Sequence, residues 1–533
     1  MILHPTPISL ALLLTEARIS PPDGVEGITV SGIATDSRSV RAGDLFIAIS
    51  GLHTDARRFI PEAVAKGAVA VVCEPSEVMP DGGRIPVIPV ANARLAMACL
   101  YDALYGHPTR NLRLVGVTGT NGKTSVSTML YRILRAAGVP CGLIGTVGCC
   151  MPQSDTPVSG EGLSGMTTPD PAVLYPLLAQ MAAQSPSART TVVMEVTSHA
   201  LHHAKVAPLT FDLAVFTNLS SEHMDLHGTM EDYFDAKLGL FEVTREAVVN
   251  ADDRWGRRLL AEPTPIHHYH ICHAEGLQNL SPDRMCPAGE GTCTRYYAEQ
   301  VKFSGEDGVA FKLASPDIRL RLRCPVPGQF TVMNAMEAAV AALALGVSPA
   351  VVRDALAGFG GVPGRMERVI LPETDIPFSV FIDFAHTPDA LENLLASVHG
   401  FRRRGQRIVL VFGCGGDRDR SKRKVMARIA SRMSDSLVIT SDNSRSEDPD
   451  DIIADILAGV DKESEFAVVQ NRAEAIRYAI RHARAGDLIL LAGKGHENYE
   501  IDRTGKHPFC EKDIAVEAAK KYHATEGKDS RVK

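Results

Sequence analysis

Short apolar runs, among them RLVGV, TTVVMEV, LAVFTNL, FSVFIDF, RIVLVFG, SLVIT and DLILLAG, are separated by polar loops rich in glycine. Between them, segments such as SVSTMLYRIL and AMEAAVAALALG repeat apolar residues at helical spacing. Buried strands alternating with helices predict an α/β protein built on doubly wound sheets. The pattern divides into a small N-terminal α/β domain over residues 1–107, a central domain over 108–350 and a C-terminal Rossmann-like α/β domain over 351–533. YGHPTRN interrupts the first boundary, and the helix ending near Gly346 closes the second. ISLALLL predicts an amphipathic first helix, and the tail KKYHATEGKDSRVK a frayed end.

At 533 residues the chain exceeds what one core can organise. Lys and Arg number 56 against 63 Asp and Glu, so the net charge of −7 gives no reason to expect nucleic acid or a membrane surface as partner. An anionic substrate must therefore be met by local basic residues. Eleven cysteines without a stapling pattern point to a reducing compartment, and no apolar run is long enough to span a bilayer. These features predict a cytoplasmic protein.

The densest chemistry lies in VGVTGTNGKTS, where a strand runs into glycines and then a helix. Gly119 and Gly122 let Thr120, Asn121 and their neighbours bring backbone N–H groups to phosphate oxygens. Lys123 supplies charge to the outer phosphates, and Thr124, followed by Ser125, offers a hydroxyl to Mg2+ at a helix N-terminus. The usual first glycine of the phosphate-loop pattern is replaced by Val117. Glu195 ends an apolar strand, where a carboxylate suits a hard cation. His223 and Asp225 follow another such strand, and Lys237 lies on a helix. In the third domain four strands end in the loops DFAHTPD, GCGGDRD, SDNSRSEDP and GKGHENYE, the positions where open α/β sheets bind ligands.

Taken in order, TGTNGKTS, TTPDP, EVTSHAL, TNLSSEHMDLHG, YFDAKLGLF, GRMERV, DFAHTPDAL, FGCGGDRDRSKR and GKGHE resemble the Mur ligase family over about residues 31 to 500. Among its members the chain most resembles those that add the third residue to UDP-N-acetylmuramoyl-L-alanyl-D-glutamate in peptidoglycan synthesis. The resemblance implies an ATP-dependent amide ligase working through an acyl phosphate. Lys123 would then contact phosphates, Thr124 and Glu195 would hold one Mg2+, and His223 a second. Lys237 would carry the family's carbamate, serving the metal and the nucleotide-sugar substrate. Asn334, Arg365 and Asp383 would complete the ATP site. UDP-N-acetylmuramoyl-dipeptide would be held by Ser37, His53, Thr54, Thr167, Thr168, Thr197 and Lys205. The chain departs from the family pattern at Thr197, His203, Lys205 and Thr331, which replace Ser, Gln, Arg and Asn.

The resemblance places the incoming amino acid on Arg418, Asp442, Asn443, Ser444, Arg445, Gly493 and Glu497. Members that use meso-diaminopimelate have a DNPR loop, here DNSR; Arg445 suits a distal carboxylate and Glu497 a distal ammonium. With proline replaced by Ser444, L-lysine or L-ornithine is the alternative substrate, and a catalytically silent nucleotide-sugar binder the alternative in another class. A folylpolyglutamate synthase shares the phosphate loop but not the DSR, GLHTD and SDNSR segments. The enzyme is expected to act as a monomer. HHYHICH, with Cys286 and Cys293, holds soft metal ligands, yet its spacing matches no zinc finger and its alternation predicts an edge strand.

Overall fold

The computed structural model describes residues 5–51, 55–75, 85–158, 166–184, 189–222, 224–274, 291–371 and 376–529. The chain divides into two compact units, residues 1–296 with 337–352 and residues 297–336 with 353–533.

The first unit holds two α/β sheets. Gly32–Ala34, Asp44–Ala48, Ala70–Cys73 and Val87–Pro89 form a parallel sheet of four strands. Its central strands Asp44–Ala48 and Ala70–Cys73 are buried on both faces, as expected when helices cover each side. The first helix, Leu10–Glu16, is capped by the Ser9 hydroxyl and buries Leu10, Leu13 and Leu14. The parallel stretch of the second sheet runs Cys141–Gly145, Thr190–Glu195, Leu112–Thr118, Phe211–Phe216, Thr244–Asn250 and His268–His273. Leu112–Thr118 is central, so the loop after it emerges between the carboxyl ends of Thr190–Glu195 and Phe211–Phe216. One apolar core, including Leu100 and Leu104 of the first domain and Leu174 and Leu178 of the second, joins the two sheets' helices.

The second unit carries a parallel sheet of Ser379–Asp383, Leu488–Ala492, Ile408–Phe412, Ser436–Ile439 and Phe466–Val468, with Glu367–Arg368 antiparallel at one edge. Helices cover both faces and bury separate clusters around Leu391, Leu395 and Met426 and around Ala475, Ile476 and Ala515. All four loops singled out in the sequence leave the carboxyl ends of these strands.

Two expectations need correction. His268–His273 is an interior strand, flanked by Thr244–Asn250 and by the start of Thr292–Phe303. Its odd and even residues are both buried, so the alternation of HYHIC does not mark a solvent face. The tail read as frayed, 520–533, is helical as far as Asp529, the end of the helix Glu511–Asp529. Its early residues Ala515 and Ala518 pack into the core, and helix propagates from an anchored turn.

Candidate active site

The loop after Leu112–Thr118 is built as the residues require. Gly119 and Gly122 have φ of 146° and 87°, and a Cβ at 119 would stand 1.9 Å from Thr217 Oγ1. Loop and neighbouring strand end are tied together: Asn121 N donates to Asn218 Oδ1 at 3.0 Å and Thr217 Oγ1 to Asn121 O at 2.6 Å. Lys123 opens the helix Lys123–Ala136, and its ammonium donates to the carbonyls of Gly119 and Thr120 at 2.9 and 2.8 Å. Ser125 is half-buried on the same helix turn.

Thr124 and Glu195 do meet. Thr124 Oγ1 donates to Glu195 Oε2 at 3.1 Å, and Thr146 donates to the two carboxylate oxygens through its N at 2.9 Å and its Oγ1 at 3.0 Å. Glu195 is fully buried. The donor set is all oxygen, which fits a Mg2+ ion that also binds phosphate, whereas nothing here offers soft ligands. Thr146 is absent from the sequence prediction; its only signal is its place just after the apolar strand CGLIG. Thr167 joins through its Oγ1, 3.0 Å from that of Thr146. Thr168 Oγ1 donates to Glu195 O at 2.9 Å and accepts from Thr197 N at 3.1 Å, while Thr197 caps the helix Ser198–His202.

Lys237 is 1% exposed and donates to Gly119 O at 3.0 Å, with its ammonium 4.7 Å from the centre of the Tyr233 ring. Burial, then the nearby Lys123 charge, pushes its pKa well below that of an ordinary lysine. A neutral amine is what carbamate formation needs. Tyr233 also stacks on His227, which bonds Ser198 Oγ at 3.0 Å. Thr217, Asn218, Tyr233 and His227 lie in the very segments quoted from the sequence, but none was singled out, since each gains meaning only by meeting another strand end.

Lys205 pairs with Asp170 of TTPDP at 2.7 Å. His203 is half-buried, with burial first and the Arg94 charge next lowering its pKa. Ser37 is buried and donates to Glu62 Oε2 at 2.7 Å, beside an exposed Arg38 paired with Asp36. His53, Thr54, His223 and the Asp225 side chain lie outside the described residues.

In the second unit Asp383 accepts from Met366 N at 2.7 Å and Ala385 N at 2.9 Å, and Arg365 lies 5.0 Å from the Phe384 ring centre. Asn334 is half-buried on the helix Phe330–Ala344, where the Thr331 hydroxyl donates to Pro327 O. Asp442, Asn443 and Ser444 are buried in one loop. Asn443 Nδ2 donates to Glu497 Oε2 at 2.8 Å, bringing two of the predicted amino-acid contacts together. Arg445 has a φ of 52° and donates through Nη1 to Gly416 O and Asn443 O. Arg418 is exposed and donates to Asp417 O, and Gly493 packs against Asp442. In the histidine-rich strand, His268 bonds Thr292 and Thr294, and His270 bonds Glu246. Among the described residues no group of three or more His, Cys, Asp or Glu is placed to hold a metal. Cys286 lies outside them.

A glycine loop clamped at a central strand end, with a lysine, a threonine and a strand-end glutamate around it, defines a phosphate-loop enzyme of nucleotide-dependent chemistry. Three family models match in succession: "Mur ligase family, catalytic domain" at 29–105, "Mur ligase middle domain" at 117–342 and "Mur ligase, glutamate ligase domain" at 364–495. A Syntrophomonas wolfei protein named UDP-N-acetylmuramoyl-L-alanyl-D-glutamate--2,6-diaminopimelate ligase is 38% identical, over 96% of this chain and 99% of its own. A Gloeobacter violaceus protein of the same name is 41% identical, over 93% and 94%. A solved structure of a ligase of that name matches with a TM-score of 0.65 at 28% identity, covering 97% of this chain and 100% of the other. The chain belongs to the Mur ligase family and is a ligase with the family's three α/β domains. Folylpolyglutamate synthase from Mycobacterium tuberculosis shares the fold, with a TM-score of 0.55 at 18% identity over 75% of this chain and 92% of that one.

Proposed function

We propose that the chain joins meso-diaminopimelate to UDP-N-acetylmuramoyl-L-alanyl-D-glutamate at the expense of ATP, in peptidoglycan synthesis. The observation that carries this reading is full-length similarity to ligases of that name, together with Arg445 and Glu497 held in one loop cluster through Asn443. A forked guanidinium suits the distal carboxylate of diaminopimelate, and a carboxylate suits its distal ammonium. The amino-acid set is Arg418, Asp442, Asn443, Ser444, Arg445, Gly493 and Glu497.

ATP phosphates are assigned to residues 119–125, with Asn334, Arg365 and Asp383 completing the nucleotide site. Lys123 neutralises charge on the transferred group, the main demand of phosphoryl transfer. Thr124 and Glu195 would hold one Mg2+ and His223 would help hold a second, with carbamylated Lys237 as a further metal ligand; such ions would withdraw charge from the phosphates. Transfer of the γ-phosphoryl group to the substrate's free carboxylate gives an acyl phosphate and releases ADP. The amino acid's neutral amine attacks its carbonyl carbon, and the tetrahedral intermediate loses the amine's proton and expels phosphate to leave the amide. Ser37, His53, Thr54, Thr167, Thr168, Thr197 and Lys205 are assigned to the nucleotide sugar. We place the domain boundaries at 107/108 and 350/351, and the enzyme in the cytoplasm as a monomer.

The test is ATP-dependent phosphate release with UDP-N-acetylmuramoyl-dipeptide and, separately, meso-diaminopimelate, L-lysine and L-ornithine, with product masses. Turnover with diaminopimelate alone is expected. Turnover with lysine or ornithine instead overturns the role given to Arg445, and none with any amino acid favours a silent binder. Lys123→Ala is expected to abolish release.

A further inference from the structure

Behind Asp442, Asn443 and Glu497 runs a buried chain of charge that the reaction above does not use. Glu511, opening the helix Glu511–Asp529, accepts from Arg472 Nε at 2.8 Å. Arg472, opening the helix Arg472–Arg481, turns its other nitrogens to Ser441 O at 3.3 Å and Ala492 O at 2.9 Å. Those two carbonyls stand just before Asp442 and Gly493, where two loops leave the strands that flank Ile408–Phe412. Lys494 donates to Asn443 Oδ1 at 3.0 Å and Tyr499 O at 3.1 Å, and lies 3.3 Å from Asp442 Oδ1. Arg472 and Lys494 are 0% exposed, Glu511 3% and Asp442 7%. Gly493 makes room for this contact, since a Cβ there would stand 2.7 Å from Asp442 Oδ2.

The arrangement determines which way the Asn443 amide faces. Its oxygen accepts from Lys494 and from Ile501 N at 2.9 Å, which leaves its NH2 to donate to Glu497. Burial acts to raise the Asp442 pKa, and the charges of Arg472 and Lys494 outweigh it and hold the carboxyl below its usual range. Charges this deep are expensive to bury unless each is matched, and apolar residues could fill the volume at less expense. Their placement at the loop exits gives them another use.

We propose that Lys494 and Arg472, backed by Glu511, are positioning residues for the incoming amino acid, fixing the two loop starts and orienting Asn443 and Glu497 toward it. This rests on the assignment of that loop cluster to diaminopimelate. Residues that orient metal ligands without touching the metal change affinity or activity by about tenfold to a hundredfold when removed, and an effect of that size is expected of groups that orient an amino-acid site.

The test compares Lys494→Met, Lys494→Arg and Glu511→Gln with the wild type by measuring kcat and KM for all three substrates, alongside thermal unfolding. Lys494→Met is expected to raise the KM for diaminopimelate about tenfold to a hundredfold, while those for ATP and the nucleotide sugar stay within about twofold. Lys494→Arg should restore part of the loss. A folded Lys494→Met with unchanged KM values, or with all three raised together, overturns the proposal. Should Lys494→Met fail to fold, Glu511→Gln decides: a rise confined to the amino acid's KM supports it, and no rise or a general one overturns it. Arg445→Ala serves as control. If that variant raises the diaminopimelate KM while Lys494→Met does not, the substrate assignment stands and the positioning role falls; a wild type that does not ligate diaminopimelate sinks the assignment itself.

Discussion

Glu337 shows how far one residue can stand from the chemistry its type suggests. It is fully buried on the helix Phe330–Ala344, and neither carboxylate oxygen has a hydrogen-bond partner. Burial first, then Asp253 and Asp252, pushes its pKa well above the ordinary 4.5. The folded state therefore keeps a proton that the unfolded chain releases above about pH 4.5, so stability falls as pH rises through that window, by up to about 1.4 kcal/mol per pH unit. Glu337→Gln should flatten this slope and be increasingly the more stable protein toward neutral pH, as unfolding in urea at several pH values would reveal. At Lys237 the shift has the opposite sign: burial and then the Lys123 charge lower its pKa, which favours the neutral amine. Lys237→Met is expected to lower kcat by about a hundredfold or more. Supplied with 13CO2, the wild type should show a carbamate carbonyl resonance that the variant lacks; the same resonance in both would remove Lys237 from that role. Lys123 was legible from the glycines before it and the helix after it, whereas Glu195 and Lys237, each ordinary when taken singly, became legible through their joint place among the ordered motifs. Thr146 and Tyr233 were not, because threonine and tyrosine are ordinary at strand ends and on helices.

At the scale of elements, strand, loop and helix around Lys123 follow directly from the pattern, since glycines end the apolar run and helical spacing resumes at once. What the pattern leaves open is which strand ends face the loop. Cys141–Gly145 lies beside Thr190–Glu195, and the absence of a side chain at Gly145 lets Glu195 lie against it; a Cβ there would stand 2.3 Å from Glu195 Oε1. Gly145→Ala should thus displace the carboxylate from Thr124 and Thr146, lower activity roughly tenfold or more and destabilise the protein by about 1–3 kcal/mol. Full activity in a stable Gly145→Ala protein would contradict the assignment of Glu195 to the metal. The histidine-rich strand teaches the reverse lesson. HYHIC reads as alternating when histidine is counted as polar, yet in the sheet both His270 and His273 are buried, His270 bonding Glu246 and His273 lying 3.4 Å from Asp252.

Across the whole molecule, the proposed choice of amino acid rests on which loops share a sheet edge. Asp442, Asn443, Arg445 and Glu497 come from segments some fifty residues apart, brought together because Ser436–Ile439 and Leu488–Ala492 flank Ile408–Phe412 in one parallel sheet. Arg445→Ala should weaken diaminopimelate more than any substrate lacking a distal carboxylate, lowering kcat/KM for it by roughly tenfold or more in competition with L-lysine. An equal loss for both would show that Arg445 reads no distal carboxylate. The sequence by itself determined the alternation of strands and helices, the phosphate loop, the loops at strand ends and the family, because apolar period, glycine placement and ordered motifs are local properties of the chain. Only the tertiary structure decided that Thr146 supports Glu195, that Tyr233 covers Lys237, that the tail is an anchored helix and that Lys494 and Arg472 stand behind Asp442. Strand order is set by packing of residues distant in sequence, and a buried partner has no signature until the two ends meet.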